Sequence, residues 1–233
     1  MKLSIDRSEL LRALSHVQSV VERRNTIPIL SNVLLSAGAG ALTLTATDLD
    51  IEAVDAADAD VKQDGALTAP AQTLFDVIRK LPDTAEVELE YLPENQRLSI
   101  QSGRSRFALP TLPASDFQTM TRDDGSVQFA LDAADLKRLI DKTRFAISTE
   151  ETRYYLNGVY LHIHKGDDGE KLRAVATDGH RLALSEVDAP EGSSALAGII
   201  IPRKAVAEIR RLIDGYDGEI GISASEAKIV LTA

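Results

Sequence analysis

Residues 174–184 read AVATDGHRLAL. Asp178, His180 and Arg181 stand within four residues, and Gly179 gives the backbone room to turn. Taken alone, the stretch fits acid–base catalysis or a turn between two strands that a partner uses. A second occurrence decides the fold. ALTLTATDLDIEAVDA, residues 41–56, matches KLRAVATDGHRLALSEVDA, residues 171–189, with Asp48 on Asp178. Outward from this pair the agreement continues. IPILSNVLLSAG places Asn32 on Asn157 of RYYLNGVYLHIHKG, and LTAPAQTLFDVIRKLPDTAEVEL places Pro70 on Pro202 of IIIPRKAVAEIRRLIDGYDGEIGI. KLSIDRSELLRAL answers VQFALDAADLKRLI, with Leu10 on Leu136. The offsets are 125, 126, 130 and 132, so four blocks recur in one order with small length changes. Repeats of this kind mark a duplicated structural unit.

The chain therefore reads as two copies of one domain, residues 1–119 and 127–233, joined by a linker of about 120–126. Each copy opens with a short alternating strand that leads into a helix capped by Asp6 or Asp132. Period-two strands such as ALTLTA follow, separated by Gly-bearing turns. A second helix starts after Pro70 or Pro202, and a hairpin closes the unit. The fold class is α+β, with two helices on one face of antiparallel sheets in each copy. Helices are expected over 7–24, 71–80, 132–144 and 203–213. Copy one continues past NQRLSIQS into GRSRFALPTLPASDF, whereas copy two stops at EAKIVLTA, so the second domain is expected to be incomplete at its C-terminal end.

Composition narrows the function classes. With 233 residues, 44% hydrophobic and 27% charged, the chain is long enough and apolar enough to bury a core in each copy. It has no cysteine, which removes disulfides, thiolate metal sites and thiol nucleophiles, and fits a reducing cytoplasm. No apolar run approaches the ~20 residues needed to span a bilayer, and MKLSIDRSEL lacks a signal peptide's apolar core. The net charge of −10 argues, taken whole, against nucleic-acid binding.

Its distribution argues the other way. The four expected helices hold 14 Lys/Arg against 7 Asp/Glu, while the rest of the chain holds 12 against 29. Leu10, Leu14, Val17 and Val21 form one stripe of the first helix, with Ser8, Arg12, Ser15 and Ser19 opposite. In the third helix Leu136, Leu139, Ile140 and Thr143 oppose Lys137, Arg138 and Lys142; in the fourth, Val206, Ile209 and Ile213 oppose Arg203, Lys204 and Arg211. One basic helix would be an ordinary solvated face. Glu is as good a helix former as Lys, however, and its scarcity on these faces in both copies points to a basic helical surface on an acidic body. Such a surface meets phosphates without reading bases.

The copies also differ at informative places. Asp50, Glu52 and Ser31 of copy one correspond to His180, Leu182 and Leu156 of copy two, so copy two carries His or Leu at positions expected to face water. Exposed apolar groups mark binding sites; packing of these leucines under a shifted loop is the alternative. A hydrolase using Asp178 and His180 lacks a Ser or Thr nucleophile on a Gly-x-Ser-x-Gly elbow. His162 and His164 share a strand face without a third ligand, and no phosphate-cradling Gly loop occurs, so neither a metal nor a cofactor is implied.

TIPILSN after VVERR, GRSRFALPTLPASDF, RYYLNG and VATDGHRLA, in this order and spacing, resemble the bacterial DNA sliding clamp family, the β subunit of replicative polymerase III, through essentially all of the chain. The resemblance implies three similar domains per chain, the third absent here, and a head-to-tail homodimer ring around duplex DNA, with helices lining the hole. It implies a non-catalytic, cytoplasmic processivity factor that tethers the polymerase III catalytic subunit, the clamp loader and other partners. Its peptide pocket falls on Leu156, Thr177, Gly179, His180, Arg181 and Leu182, with the remainder beyond residue 233. Its dimer contact falls on Arg104, Arg106 and Phe107. For DNA it adds Arg24, Tyr154 and Tyr155 to the helix cations. Glu150, Glu151, Gln72 and Thr73 depart from the basic or neutral residues common at those places. A protein-interaction module without a DNA role is the other reading.

Overall fold

Strand alternation and Pro-started helices give each copy the same parts. The computed structural model describes residues 1–21, 27–120, 127–150, 152–225 and 227–233. The chain divides into two units, residues 1–121 and 122–233. In the first, β1 (Lys2–Asp6) joins a five-stranded antiparallel sheet, ordered β5-β1-β7-β8-β9, with β5 (Asp60–Gln63), β7 (Glu86–Leu92), β8 (Arg97–Ser102) and β9 (Ser105–Pro110). A four-stranded sheet, β4-β3-β2-β6, is built from β2 (Asn32–Gly38), β3 (Ala41–Thr47), β4 (Glu52–Asp58) and β6 (Gly65–Pro70). Leu42, Leu44 and Ala46 of β3 are fully buried, as period-two alternation requires of a sheet covered on one face.

Helix α1 (Arg7–Val17) starts where Asp6 accepts a hydrogen bond from the Ser8 N–H, and it buries Leu10, Leu14 and Val17 completely. It packs against α2 (Ala71–Arg79), whose Leu74 and Ile78 are also fully buried. Arg7 fastens the pair. Its side chain donates to the Ile78 and Arg79 carbonyls at the end of α2 and reaches Asp83 at 3.0 Å. That places a cation on the negative end of the α2 dipole.

The second unit repeats the plan with β10 (Val127–Asp132), α3 (Ala133–Thr143), β11 (Gly158–Gly166), β12 (Gly169–Thr177), β13 (Leu182–Asp188), β14 (Ile199–Pro202), α4 (Arg203–Leu212), β15 (Glu219–Ala224) and β16 (Ile229–Thr232). Its sheets are ordered β13-β12-β11-β14 and β10-β15-β16. Asp132 caps α3 through the Ala134 N–H, and Leu136, Leu139, Ile140 and Thr143 are buried on the expected face. Val206, Ile209 and Ile213 do the same for the last helix.

Two details differ from the sequence reading. The first helix was expected to reach residue 24 but stops at Val17, where the Gln18 N–H still bonds the Leu14 carbonyl and the Val20 N–H turns back to Val17. Serine and two β-branched valines follow, residues that propagate a helix poorly. The second concerns register. Asn32 pairs with Pro70, but it is Gly158, not Asn157, that pairs with Pro202. Asn32 and Asn157 are equivalent as caps of the 3-10 turns Pro28–Ser31 and Tyr154–Leu156, so copy two holds one more residue between turn and strand. Ser31 and Leu156 therefore correspond as the last residues of those turns, not by strand register.

Candidate functional site

Thr177 and Leu182 are the last paired residues of β12 and β13, and the four residues between them form the turn. One Asp178 carboxylate oxygen accepts the backbone N–H groups of His180 and Arg181, both at 3.0 Å. The other takes the Arg181 Nε at 2.9 Å. Thr177 donates its hydroxyl to the Arg181 carbonyl at 2.7 Å and accepts the Gly179 N–H. The backbone amides hold the Asp178 carboxyl at about 2, with the Arg181 guanidinium adding to the shift. Gly179 takes φ +90, a left-handed conformation that favours glycine.

Copy one builds the same turn. Asp48 accepts from the Asp50 and Ile51 N–H groups, Thr47 donates to the Ile51 carbonyl, and Leu49 adopts φ 80. Asp178 is thus a turn residue, and it meets His180 through the backbone rather than the ring. The turn holds no Asp178–His180 side-chain dyad, which removes the basis of the hydrolase reading built on those two residues.

Around this turn copy two is apolar. Leu182 takes the place of Glu52 in the ladder, opposite Thr177 as Glu52 is opposite Thr47, and it is 65% exposed. Leu184 and Phe145 are exposed beside it, and the Arg181 guanidinium lies 5.7 Å from the Phe145 ring centre. Arg138, Lys142, Phe145, Leu182, Ala183, Leu184 and Ser185 line an open groove of about 520 Å³ between α3 and β13. In copy one the equivalent seam is closed. Arg12 and His16 both reach Asp55, at 3.1 and 2.6 Å, where copy two has Ser185. Phe145 and Leu184 escaped the sequence reading, although comparing Ser19 with Phe145 would have flagged the first.

The expected pocket residues Thr177, Gly179, His180, Arg181 and Leu182 are therefore one turn, with His180, Arg181 and Leu182 exposed. Leu156 ends the 3-10 turn Tyr154–Leu156 and is half-buried. Arg153, which precedes that turn, brings its guanidinium within 3.4 Å of where a Gly179 Cβ would sit. Tyr154, 80% exposed, and Tyr155 stand edge-to-face with ring centres 5.6 Å apart.

The helix cations are exposed to differing degrees, and several are already paired. Arg12 bonds Glu9 and Asp55, Arg138 bonds Asp135, Lys137 bonds Asp214 and Arg211 bonds Glu208. Lys142 and Arg203 are exposed and form no ion pair among the described residues; Lys204 is half-buried. Arg24 lies outside the described residues. On β9, whose outer edge carries no further strand of the sheet, Arg106 and Phe107 are exposed, as is Arg104 in the turn before it. Tyr160 stacks on His162, and among the described residues no cluster of His, Cys, Asp or Glu is placed to hold a metal ion. No helix of the described residues is long and apolar enough to cross a membrane.

Comparison with known proteins agrees with this architecture. Residues 1–121 match the family described as DNA polymerase III beta subunit, N-terminal domain, and residues 130–233 match its central domain. A Beta sliding clamp of Caulobacter vibrioides is 57% identical over 229 residues, covering 98% of this chain and 62% of the relative. The crystal structure of the C. crescentus beta sliding clamp with PEG bound superposes with a TM-score of 0.97 at 56% identity, over 99% of this chain and 61% of that one. A sliding clamp (DNA polymerase III subunit beta) from Bartonella birtlesii, solved bound to griselimycin, gives 0.95 at 48% identity, over 100% and 62%. The chain thus spans about 62% of the length of these relatives.

Proposed function

The chain belongs to the DNA polymerase III beta subunit family of sliding clamps, and from that premise we propose that it supplies the first two domains of a ring that encircles duplex DNA and tethers a polymerase. The observation that carries this reading is the segregation of charge. Fourteen basic residues fall within the four helical segments as read from the sequence, on a chain of net charge −10, and Arg12, Arg138, Lys142, Arg203 and Arg211 are exposed on helices whose other faces bury apolar stripes. A surface of this kind holds phosphates by counterion release and has no means of reading bases. The acidic remainder repels DNA from the other faces.

The mechanism is topological. Contacts to the backbone are weak and equivalent at every step along the duplex, so the ring slides, while closure prevents sideways loss. No bond is made or broken. The ring closes as a homodimer through the free edge of β9, with Arg104, Arg106 and Phe107 at the contact, because an unpaired strand edge is a template for another strand. The turn at Thr177–Leu182, with Leu156, holds half of a pocket for a short apolar peptide from the polymerase III catalytic subunit, the clamp loader and other partners. His180 and Leu182 present their side chains there. The domain limits proposed are 1–119 and 127–233.

The test joins this chain to the remaining length its relatives have and loads the protein on nicked circular DNA with a clamp loader. Retention at moderate salt on the circle, and release when the circle is cut, is expected. Equal retention on circular and linear DNA would leave only an adhesive basic patch.

A further inference from the structure

Five charged side chains form one network along the seam between α3 and α4. Arg210 donates its Nε to both oxygens of Asp141 at 3.0 Å and its Nη1 to Asp214 at 2.9 Å. Lys137 reaches the same Asp214 oxygen at 3.2 Å, and Arg144 reaches Asp141 at 3.1 Å. Three cations thus share two carboxylates. Arg210–Asp141 and Lys137–Asp214 join residues 69 and 77 apart in sequence, so the network ties the two helices together, with Arg144–Asp141 and Arg210–Asp214 as its local links.

The fold does not require it. Copy one packs the equivalent helices, α1 and α2, with Leu11, Ser15, Gln18, Ile78 and Pro82 at the five corresponding positions, none of them charged. Ile78 there is fully buried, and the seam is closed by apolar contact together with Arg7. Copy two has replaced that seam with charges: Arg210 and Asp141 form its drier centre, with side-chain exposure of 18% and 33%, while Lys137, Asp214 and Arg144 stand in water at 42%, 63% and 52%. Arg210 with Asp141 ties the two helices together, but the exposed links to Lys137 and Arg144 contribute little to stability, so helix packing is a poor account of those two cations. Of the other exposed cations of this helix pair, Arg138 and Arg211 are also held by acids, Asp135 and Glu208, whereas Lys142 and Arg203 form no ion pair among the described residues.

We infer that Asp141 and Asp214, anchored by the half-buried Arg210, are positioning residues that hold Lys137 and Arg144 to the protein and so limit how many helix cations a duplex engages. This rests on the DNA-encircling reading and adds to it a device that sets grip. A phosphate approaching Lys137 competes with the Asp214 carboxylate, so the cation contributes only part of its charge to the DNA. Hydrogen bonds from Arg210 and then Lys137 lower the Asp214 carboxyl below its ordinary range, so it is ionised and competing near neutrality. A surface restrained in this way favours sliding over arrest, because each additional phosphate contact steepens the salt dependence of binding by about 0.9 per contact.

The experiment titrates the 233-residue chain into a short fluorescein-labelled duplex across a salt series, reading anisotropy. Asp214→Asn and Asp141→Asn are compared with the wild type, Asp214→Glu retains the carboxylate, and Lys142→Glu reports on the DNA reading itself. The expected result is tighter binding by Asp214→Asn, by about tenfold at 0.1 M salt, with the log–log slope steeper by about one. Asp214→Glu should restore the wild-type slope, which a merely structural role would not predict. Unchanged slopes in both Asn variants, with Lys142→Glu still weakening binding, would overturn the inference and leave the DNA reading intact. Salt-independent behaviour of every variant, wild type included, would overturn both. Thermal melts of each variant identify any loss of fold, and Asp141→Asn gives an independent reading if Asp214→Asn is unstable.

Discussion

At the scale of single residues, the two Asp turns form an internal experiment. Both place a residue at positive φ, but copy two uses Gly179 and copy one uses Leu49. A Cβ in that conformation costs roughly 1–2 kcal/mol. Gly179→Ala should therefore destabilise the chain by about 1 kcal/mol, and Leu49→Gly should be neutral or slightly stabilising, both read by urea denaturation. Asp178 supplies a pH dependence. Its carboxyl is held at about 2 in the fold against an ordinary 3.8, chiefly by the Arg181 and His180 amides. A depressed carboxylate stabilises above its unfolded value and loses that contribution as pH falls through the folded one. The melting-temperature gap between wild type and Asp178→Ala should be full above about pH 5 and should close between about 4 and 2. A gap that persists unchanged at pH 2 would mean that the turn does not depend on the carboxylate's charge. The sequence showed the Asp and Gly of this turn but not their purpose; the hydrogen bonds assign the Asp to the backbone instead of to His180.

Among elements, the two copies show how one architecture is locked in two ways. Arg7 secures α1 to the C-terminal end of α2 by bonds to two carbonyls. Arg7→Ala leaves those acceptors in a nearly dry seam, and a loss of about 2–3 kcal/mol is expected by denaturant titration. On the other unit, β13 exposes Leu182 where β4 has Glu52. Leu182→Glu restores the residue type of copy one in the same ladder position. It should weaken a short apolar peptide by about 2 kcal/mol, or roughly thirtyfold, in fluorescence polarisation, while the melting temperature stays close to wild type. Equal affinity would place the peptide elsewhere, with the groove beside Phe145 and Leu184 as the nearest apolar alternative. Helix faces were legible in advance because a period of 3.6 separates buried Leu136, Leu139 and Ile140 from Lys137 and Arg138. The end of α1 was not, since the apolar spacing runs on through Val21 while the backbone turns at Gln18.

For the whole molecule, the relevant quantity is where charge sits. Reversing Arg203, Lys204 and Arg211 to Glu should abolish retention of the assembled ring on circular DNA at moderate salt, with little change in the far-ultraviolet circular dichroism spectrum; unchanged retention would move the DNA contact off α4. The sequence by itself determined the duplication, the α+β class, the apolar stripes and the concentration of cations on helices. These follow from local periodicity and composition, which any window of the chain displays. It also singled out Leu182 and His180, because two copies of one fold act as each other's control. The tertiary structure alone decided which cations are already held. Arg210 finds Asp141 and Lys137 finds Asp214 across 69 and 77 residues of sequence. It decided too that Ser185 leaves open the seam which Asp55 closes, and that the strand after Asn157 runs one residue out of step with its sister. Pairing and register depend on which side chains and backbone groups arrive opposite one another in space, and no local pattern in the chain carries that information.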